Sequence, residues 1–181
     1  MSRIESESRR MKHLVEDLLL LARLDLDQPL ERQPVDLSRI VRDAAADSRA
    51  IDPERPVEEV IGDRLLVSGD PERLTQVLAN LLANARSHTP PGTPIRIEAG
   101  RSDGNIELAV SDRGPGFPPA ALGSVFDRFF RADDSRSRKS GGTGLGLAIV
   151  EAIARAHGGS ARAENLPEAG ARVVVRLPAL G

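Results

Sequence analysis

Residues 141 to 150 read Gly141-Gly142-Thr143-Gly144-Leu145-Gly146-Leu147-Ala148-Ile149-Val150. Glycines at alternate positions (142, 144 and 146) run straight into an apolar helical pattern. Each glycine in a helix interior costs about 1 kcal/mol relative to alanine, so the cluster needs a compensating reason. The residues alone leave two open. One is a hinge before a helix. The other is close backbone approach to a phosphate, with the free N–H groups of a helix N-terminus aimed at the anion. Spacing excludes two familiar phosphate loops. The pattern G-x-x-x-x-G-K-[ST] needs a lysine where Leu147 stands, and G-x-G-x-x-G needs a glycine there.

Working outward, the helix after the glycines should run to about His157 and stop at Gly158-Gly159, a C-cap signal. Two strands should close the chain, about 160–165 and 171–177, with Val173 to Val175 as the apolar run of a covered strand. Before the glycines, residues 132 to 142 carry Arg136, Arg138 and Lys139, a composition suited to a mobile, cationic lid. Before that, Val125-Phe126-Asp127-Arg128-Phe129-Phe130-Arg131 concentrates three of the four phenylalanines.

Residues 94–101 and 105–111 alternate as two strands joined by a tight turn at Asp103-Gly104. The second leads into Asp112-Arg113-Gly114-Pro115-Gly116-Phe117. An aspartate leaving a buried strand beside two glycines can accept from an amino group held close to the backbone; a plain turn is the other reading.

The clearest helix start is Asp70-Pro71-Glu72: an N-cap, a proline at the first helical position and an acid in the first turn. This helix should reach about Ser87. Gln76, Asn80, Asn84 and His88 are spaced by four and share one stripe. Polar stripes are usually solvated faces. Asparagine, however, is a poor helix former, and two in mid-helix suggest neutral oxygen ligands for a hard cation. Another helix should span 37 to 50. Residues 57–61 and 65–68 are β-rich and read as a hairpin around Gly62-Asp63.

Residues 2 to 26 read as one long helix. Ile4, Met11 and Leu18 fall seven apart, with Leu14 and Leu21 at the other seam position; Glu5, Arg9, Arg10, Lys12, Glu16 and Asp17 form the polar side. A helix with so wide an apolar face either packs on the following domain or belongs to a bundle whose other helix lies upstream. The second reading is preferred, because Asp27-Gln28-Pro29 and Gln33-Pro34 then break the chain as a linker.

Composition narrows the functional classes. The chain has 181 residues, net charge −2, 2% aromatic residues, no Cys and three His far apart. That argues against a nucleic-acid surface, stacking platforms, disulfides and thiolate metal sites. No apolar run approaches the roughly 20 residues of a membrane helix, and no signal-peptide pattern opens the sequence.

Taken in order, Asn80-Leu81-Leu82-Ala83-Asn84-Ala85, Asp112-Arg113-Gly114-Pro115-Gly116, the Phe126 to Phe130 block and Gly142-Thr143-Gly144-Leu145-Gly146-Leu147 resemble the ATP-binding catalytic domain of sensor histidine kinases, and the superfamily shared with gyrase, Hsp90 and MutL. The resemblance implies an α/β two-layer sandwich, a mixed β-sheet with helices on one face, plus the N-terminal helix. It divides the chain into residues 1–27, the second helix of a dimerisation and phosphoacceptor hairpin; 28–34, a linker; and 35–181, the catalytic domain.

It further implies ATP and Mg²⁺ as ligands. Asn84, with Asn80, would hold Mg²⁺, and Asp112 would accept from the adenine amino group beside Gly114 and Gly116. Gly142, Thr143, Gly144, Leu145, Gly146 and Leu147 would meet the phosphates, and Phe126 and His88 would complete the site. Arg131, Arg138 and Lys139 would neutralise γ-phosphate charge. Asn80 stands where hydrolytic relatives carry a glutamate. Asparagine cannot act as a general base, which favours transfer to a side chain over hydrolysis.

Two departures stand out. Many relatives carry Lys where this chain has Ser87, a role that Arg86 or a lid cation would have to fill. The phosphoacceptor motif is absent, and Met11-Lys12-His13-Leu14-Val15 resembles the second hairpin helix, not the first. The expected whole is therefore a kinase that phosphorylates a histidine outside this chain, for relay to a response-regulator aspartate. Its cytoplasmic portion would be represented here, with any membrane anchor further upstream. The alternative is a nucleotide-binding module without transfer activity.

Overall fold

Asp70 caps its helix as its position predicts: its Oδ1 accepts from Glu72 N (3.0 Å) and Arg73 N (3.1 Å), and Pro71 occupies the first turn. The computed structural model describes residues 3–26, 30–131 and 143–180. In chain order its elements are α1 (Arg3–Asp25), β1 (Gln33–Asp36), α2 (Leu37–Ile51), β2 (Val57–Ile61), β3 (Leu66–Gly69) and α3 (Pro71–Ser87). They continue with β4 (Ile95–Ser102), β5 (Asn105–Asp112), a 3₁₀ turn at Pro119–Ala121, α4 (Gly146–Ala156), β6 (Ser160–Asn165) and β7 (Ala171–Pro178).

Five strands form a mixed sheet in the order β2-β4-β5-β7-β6. The β2–β4 pair is parallel and the others antiparallel. Alternation sends Ile95, Ile97, Ile106, Leu108, Val110, Val173, Val175 and Leu177 into one core with Leu74, Leu78 and Leu81 of α3 and Ile149 and Ile153 of α4. The opposite face carries a ladder of ion pairs, among them Arg96–Glu98 (3.3 Å), Arg172–Glu98 (3.5 Å) and Arg162–Glu107 (3.6 Å). One face is covered by helices and the other is charged, so the fold is the expected two-layer α/β sandwich.

The expected hairpin at 57–68 does not form. β2 joins the main sheet beside β4, while β3 pairs antiparallel with β1 in a separate two-stranded sheet. The physical reason is the fully buried Ser38. Its Oγ donates to Gly62 O (2.8 Å) and accepts from Leu65 N (3.1 Å). Gly62 N in turn donates to Ala99 O (2.8 Å). These bonds occupy backbone groups at the turn and send the two strands to different partners. β1 also takes Gln33 and Pro34, the last two residues of the expected linker; residues 27–29 lie outside the described residues.

The long N-terminal helix docks on the domain. Leu20 and Leu21 are buried, and Leu14 and Leu24 pack against the same core. Met11, Val15, Leu18 and Leu19 remain exposed. α1 therefore carries two apolar stripes, one against α4 and one open. The seam residues Leu14 and Leu21 belong to the domain-facing stripe. Asp17, assigned above to the polar side, is half-buried on that same stripe.

His157 ties the far ends of α3 and α4 together. It is 3% exposed. Its Nε2 accepts from Asp70 N (3.0 Å), and its Nδ1 donates to Ile153 O (2.7 Å). Burial pushes its pKa below the ordinary histidine value. As pH falls through about 6.5, the unfolded chain then binds a proton that the folded chain resists, so stability declines. Thermal melts should show a lower midpoint at about pH 5.5 than at about pH 7.5. A midpoint at pH 5.5 equal to or above that at pH 7.5 contradicts this assignment.

Candidate nucleotide site

A cavity of about 260 Å³ opens between α3, the end of β5 and the start of α4. Asn80, Asn84, Ser87 and His88 of the α3 segment line it, with Asp112, Gly116, Arg131, Thr143, Gly144, Gly146 and Leu147. Four separated segments of the sequence thus share one wall system. Three expected site residues stand behind that wall. Leu145 is wholly buried, Gly114 supports Asp112 from behind, and Phe126 packs on the core. Phe117, Val125 and Phe130 supply the apolar lining in place of Phe126. Gln76, on the same stripe as the asparagines, is outside the cavity and accepts from Arg73 Nη1 (3.0 Å). Arg138, Lys139 and Gly142, with the expected lid, lie outside the described residues.

Asp112 is held at the end of β5 by backbone donors. Its Oδ1 accepts from Gly114 N (2.8 Å) and Ala171 N (3.3 Å). The residue is 7% exposed, and among the described residues no group engages its second carboxylate oxygen. Around it the backbone is tightly fitted. A Cβ on Gly114 would meet Thr89 Cγ2 at 2.6 Å, and one on Gly116, whose φ is +76°, would meet Asn165 Oδ1 at 2.7 Å. Asn165 brackets Phe117, accepting from its N–H (2.7 Å) and donating to its carbonyl (2.7 Å). Thr89 is fixed by the buried Arg55, which donates to Thr89 Oγ1 (2.7 Å), Thr93 O (2.9 Å) and Asp52 Oδ2 (2.9 Å). Neither Arg55 nor Asn165 was signalled by local pattern, since the site residues each one fixes, Thr89 and Phe117, lie more than thirty positions away.

Gly170 sets a sharper test. Its φ is +115°, and an added Cβ would lie 1.9 Å from Asp112 O. Gly170→Ala is expected to destabilise the fold by several kcal/mol, on the scale of about 1–3 kcal/mol for strain alone plus the clash. Chemical denaturation would check this; a wild-type midpoint would contradict the geometry.

The start of α4 differs from those of α2 and α3. α2 and α3 are capped by Asp36 and Asp70, but α4 has no side-chain cap. Thr143 Oγ1 accepts from Leu145 N (3.3 Å). Gly146 and Leu147 of the first turn line the cavity, and an uncapped helix N-terminus attracts anions. Gly144 (φ +72°) presses against Phe129, whose N–H donates to Gly144 O (3.0 Å). This bond stitches the aromatic segment to the glycine turn. Asn80 Nδ2 is buried without a partner in the described structure. An orphaned amide at this wall suits an oxygen-rich anion.

The remaining polar groups follow. His88 is open to solvent on one side; burial of the other pushes its pKa down, with Asp112 opposing and Arg131 reinforcing the shift. Arg86 does not replace the lysine that Ser87 lacks. It turns to α2, where its Nη1 donates to Ser48 Oγ (3.2 Å). Asp17 of α1 also lines the cavity, a residue that helical periodicity alone could not place. Among the described residues no cluster of three or more His, Cys, Asp or Glu could hold a metal by itself. No described helix is long and apolar enough to cross a membrane.

Comparison with known proteins agrees with this geometry. Residues 69–181 match the family described as histidine kinase-, DNA gyrase B-, and HSP90-like ATPase. Probable sensor histidine kinase TcrY of Mycobacterium tuberculosis is 48% identical over 179 residues, covering 98% of this chain and 38% of that protein. Sensor-like histidine kinase SenX3 of the same species is 41% identical over 184 residues, covering 96% and 43%. The chain therefore spans about two fifths of the length of these relatives. Among solved structures, the ATP binding domain of PrrB from Mycobacterium tuberculosis superposes with a TM-score of 0.69 at 34% identity, covering 83% of this chain and 99% of that one. Full-length ShkA in complex with AMPPNP gives 0.78 at 30% identity, covering 96% and 37%. The chain belongs to the histidine kinase-, DNA gyrase B- and HSP90-like ATPases, carries their catalytic domain, and within that family its similarity runs to the sensor histidine kinases.

Proposed function

We propose that this chain binds Mg-ATP and transfers the γ-phosphoryl group to a histidine on a dimerisation hairpin, for relay to a response-regulator aspartate. The observation that carries the reading is one cavity lined both by Asp112 and by the uncapped start of α4. Asp112, with Oδ1 fixed by backbone, keeps its second oxygen for the adenine amino group. Gly144, Gly146 and Leu147 offer N–H groups to phosphate oxygens, and Asn80 Nδ2 offers another. Arg131 adds positive charge at the wall, and Arg138 and Lys139 are proposed to do so from the lid.

The donor set fits a magnesium ion held jointly with phosphate. Asn84 and Asn80 supply amide oxygens, and Mg²⁺ commonly takes few protein ligands plus substrate phosphates. When bound, the ion neutralises phosphate charge; the chain positions and orients. In the transfer, the bond from the γ-phosphorus to the β,γ-bridging oxygen breaks, a bond to the acceptor imidazole nitrogen forms, and ADP departs. Such transfer needs mainly positioning and electrostatic stabilisation. No glutamate stands at Asn80 to activate water, so hydrolysis is disfavoured. Residues 1–27 are assigned to the second hairpin helix, 28–34 to the linker and 35–181 to the catalytic domain. The exposed Met11, Val15 and Leu18 stripe of α1 supports a bundle partner.

The test is incubation of the chain with γ-labelled ATP and a separate hairpin carrying an acceptor histidine. Label on that histidine supports the proposal. Nucleotide binding without label favours a binding module without transfer activity. Steady phosphate release without acceptor favours hydrolysis.

A further inference from the structure

The domain-facing stripe of α1 runs Leu14, Asp17, Leu20 with Leu21, then Leu24. Four leucines meet the core, and the one polar member lines the cavity described above. A carboxylate on an apolar docking stripe is out of pattern. Burial pushes its pKa upward, His13 opposes that shift and Glu16 adds to it. Among the described side chains no lysine or arginine pairs with it; Lys12 and His13 reach Glu16 instead.

α1 is lightly held. Among the described residues, α1 is anchored besides its leucines by Asp25, both of whose carboxylate oxygens accept from Arg128 Nη2 (2.7 and 2.6 Å). Both partners are about half exposed, and exposed pairs of this kind contribute little. Arg128 is followed directly by Phe129, which bonds to Gly144. The clasp therefore joins α1 to the glycine turn of the cavity.

We propose that Asp17 sets the nucleotide affinity of this domain: with α1 docked, its carboxylate is a fixed negative charge in the cavity that opposes phosphate binding, and undocking of α1 relieves it. This rests on the nucleotide reading of the site. Asn80 and Asn84 line the same cavity with neutral amide oxygens, so the Asp17 carboxylate is not required beside them to hold a cation. Its effect is charge repulsion, so it scales with phosphate charge and spares the base.

The test is calorimetric titration of the whole chain with Mg-ATP, Mg-ADP and adenosine, for wild type, Asp17→Asn and the double variant Leu21→Asp, Arg128→Ala. Asp17→Asn should tighten Mg-ATP about fivefold, Mg-ADP less, and adenosine by no more than about twofold, for removal of one unit charge from a wet cavity. The double variant, which removes the clasp and unseats the most buried leucine of α1, should shift Mg-ATP in the same direction. Unchanged or weaker Mg-ATP binding by Asp17→Asn overturns the proposal, as does an equal gain for adenosine. Wild-type affinity in a folded Leu21→Asp, Arg128→Ala double variant overturns its docking half. Failure of the wild-type chain to bind any nucleotide overturns the site reading itself, and is seen before either variant is compared.

Discussion

Asn84→Ala is expected to weaken Mg-ATP binding by about tenfold to a hundredfold, the range seen when even an outer partner of a metal ligand is removed. Asn84 lies on the cavity side of α3, while Leu81 and Ala85 on the same turn are buried in the core. Substitution there removes an oxygen donor without opening the core. Alanine is also the better helix former, so the melting midpoint should hold or rise. Affinity and stability should therefore part company. Unchanged Mg-ATP affinity, measured by calorimetry, would remove Asn84 from the site; affinity lost only in step with stability would make it structural.

The second large effect is at Asp112. Asp112→Ala would leave the Gly114 and Ala171 N–H groups without their acceptor, at about 1–3 kcal/mol for each buried group left unpaired. It would confound recognition with folding. Asp112→Asn is the cleaner variant. It keeps an acceptor for both N–H groups and replaces the outward oxygen with an amide donor. That donor opposes the adenine amino group and suits a guanine carbonyl. Mg-ATP affinity should fall by about tenfold or more, since a hydrogen bond to a charged group is worth about 1.5–3 kcal/mol. The preference for ATP over GTP should shrink further. Retained preference would show that another group reads the base.

Much of this was legible because its signals are local. Asp70-Pro71-Glu72 announces a helix start through capping chemistry, and the cap forms as written. The Asp103-Gly104 turn joins β4 and β5 because both residues adopt positive φ there. The order of the Asn84, Asp112 and Gly144 segments was enough to expect a shared site. What escaped the sequence is non-local. Gly62-Asp63 looks like a hairpin turn, but a buried hydroxyl from Ser38, more than twenty residues upstream, diverts its backbone groups. The stripe of α1 that docks could not be chosen by periodicity, since two apolar stripes compete and Asp17 falls on the one that meets the cavity. Phe126 and Phe130 are chemically alike, and only the turn around the positive-φ Phe129 decides which faces the cavity.

Amide-resolved NMR during a Mg-ATP titration tests the convergence of segments most directly. The account predicts that signals from Asn80 to His88, Asp112 to Phe117, Arg131, and Thr143 to Leu147 shift together along one binding isotherm. Shifts confined to a single segment, or spread over the charged outer face of the sheet, would contradict it.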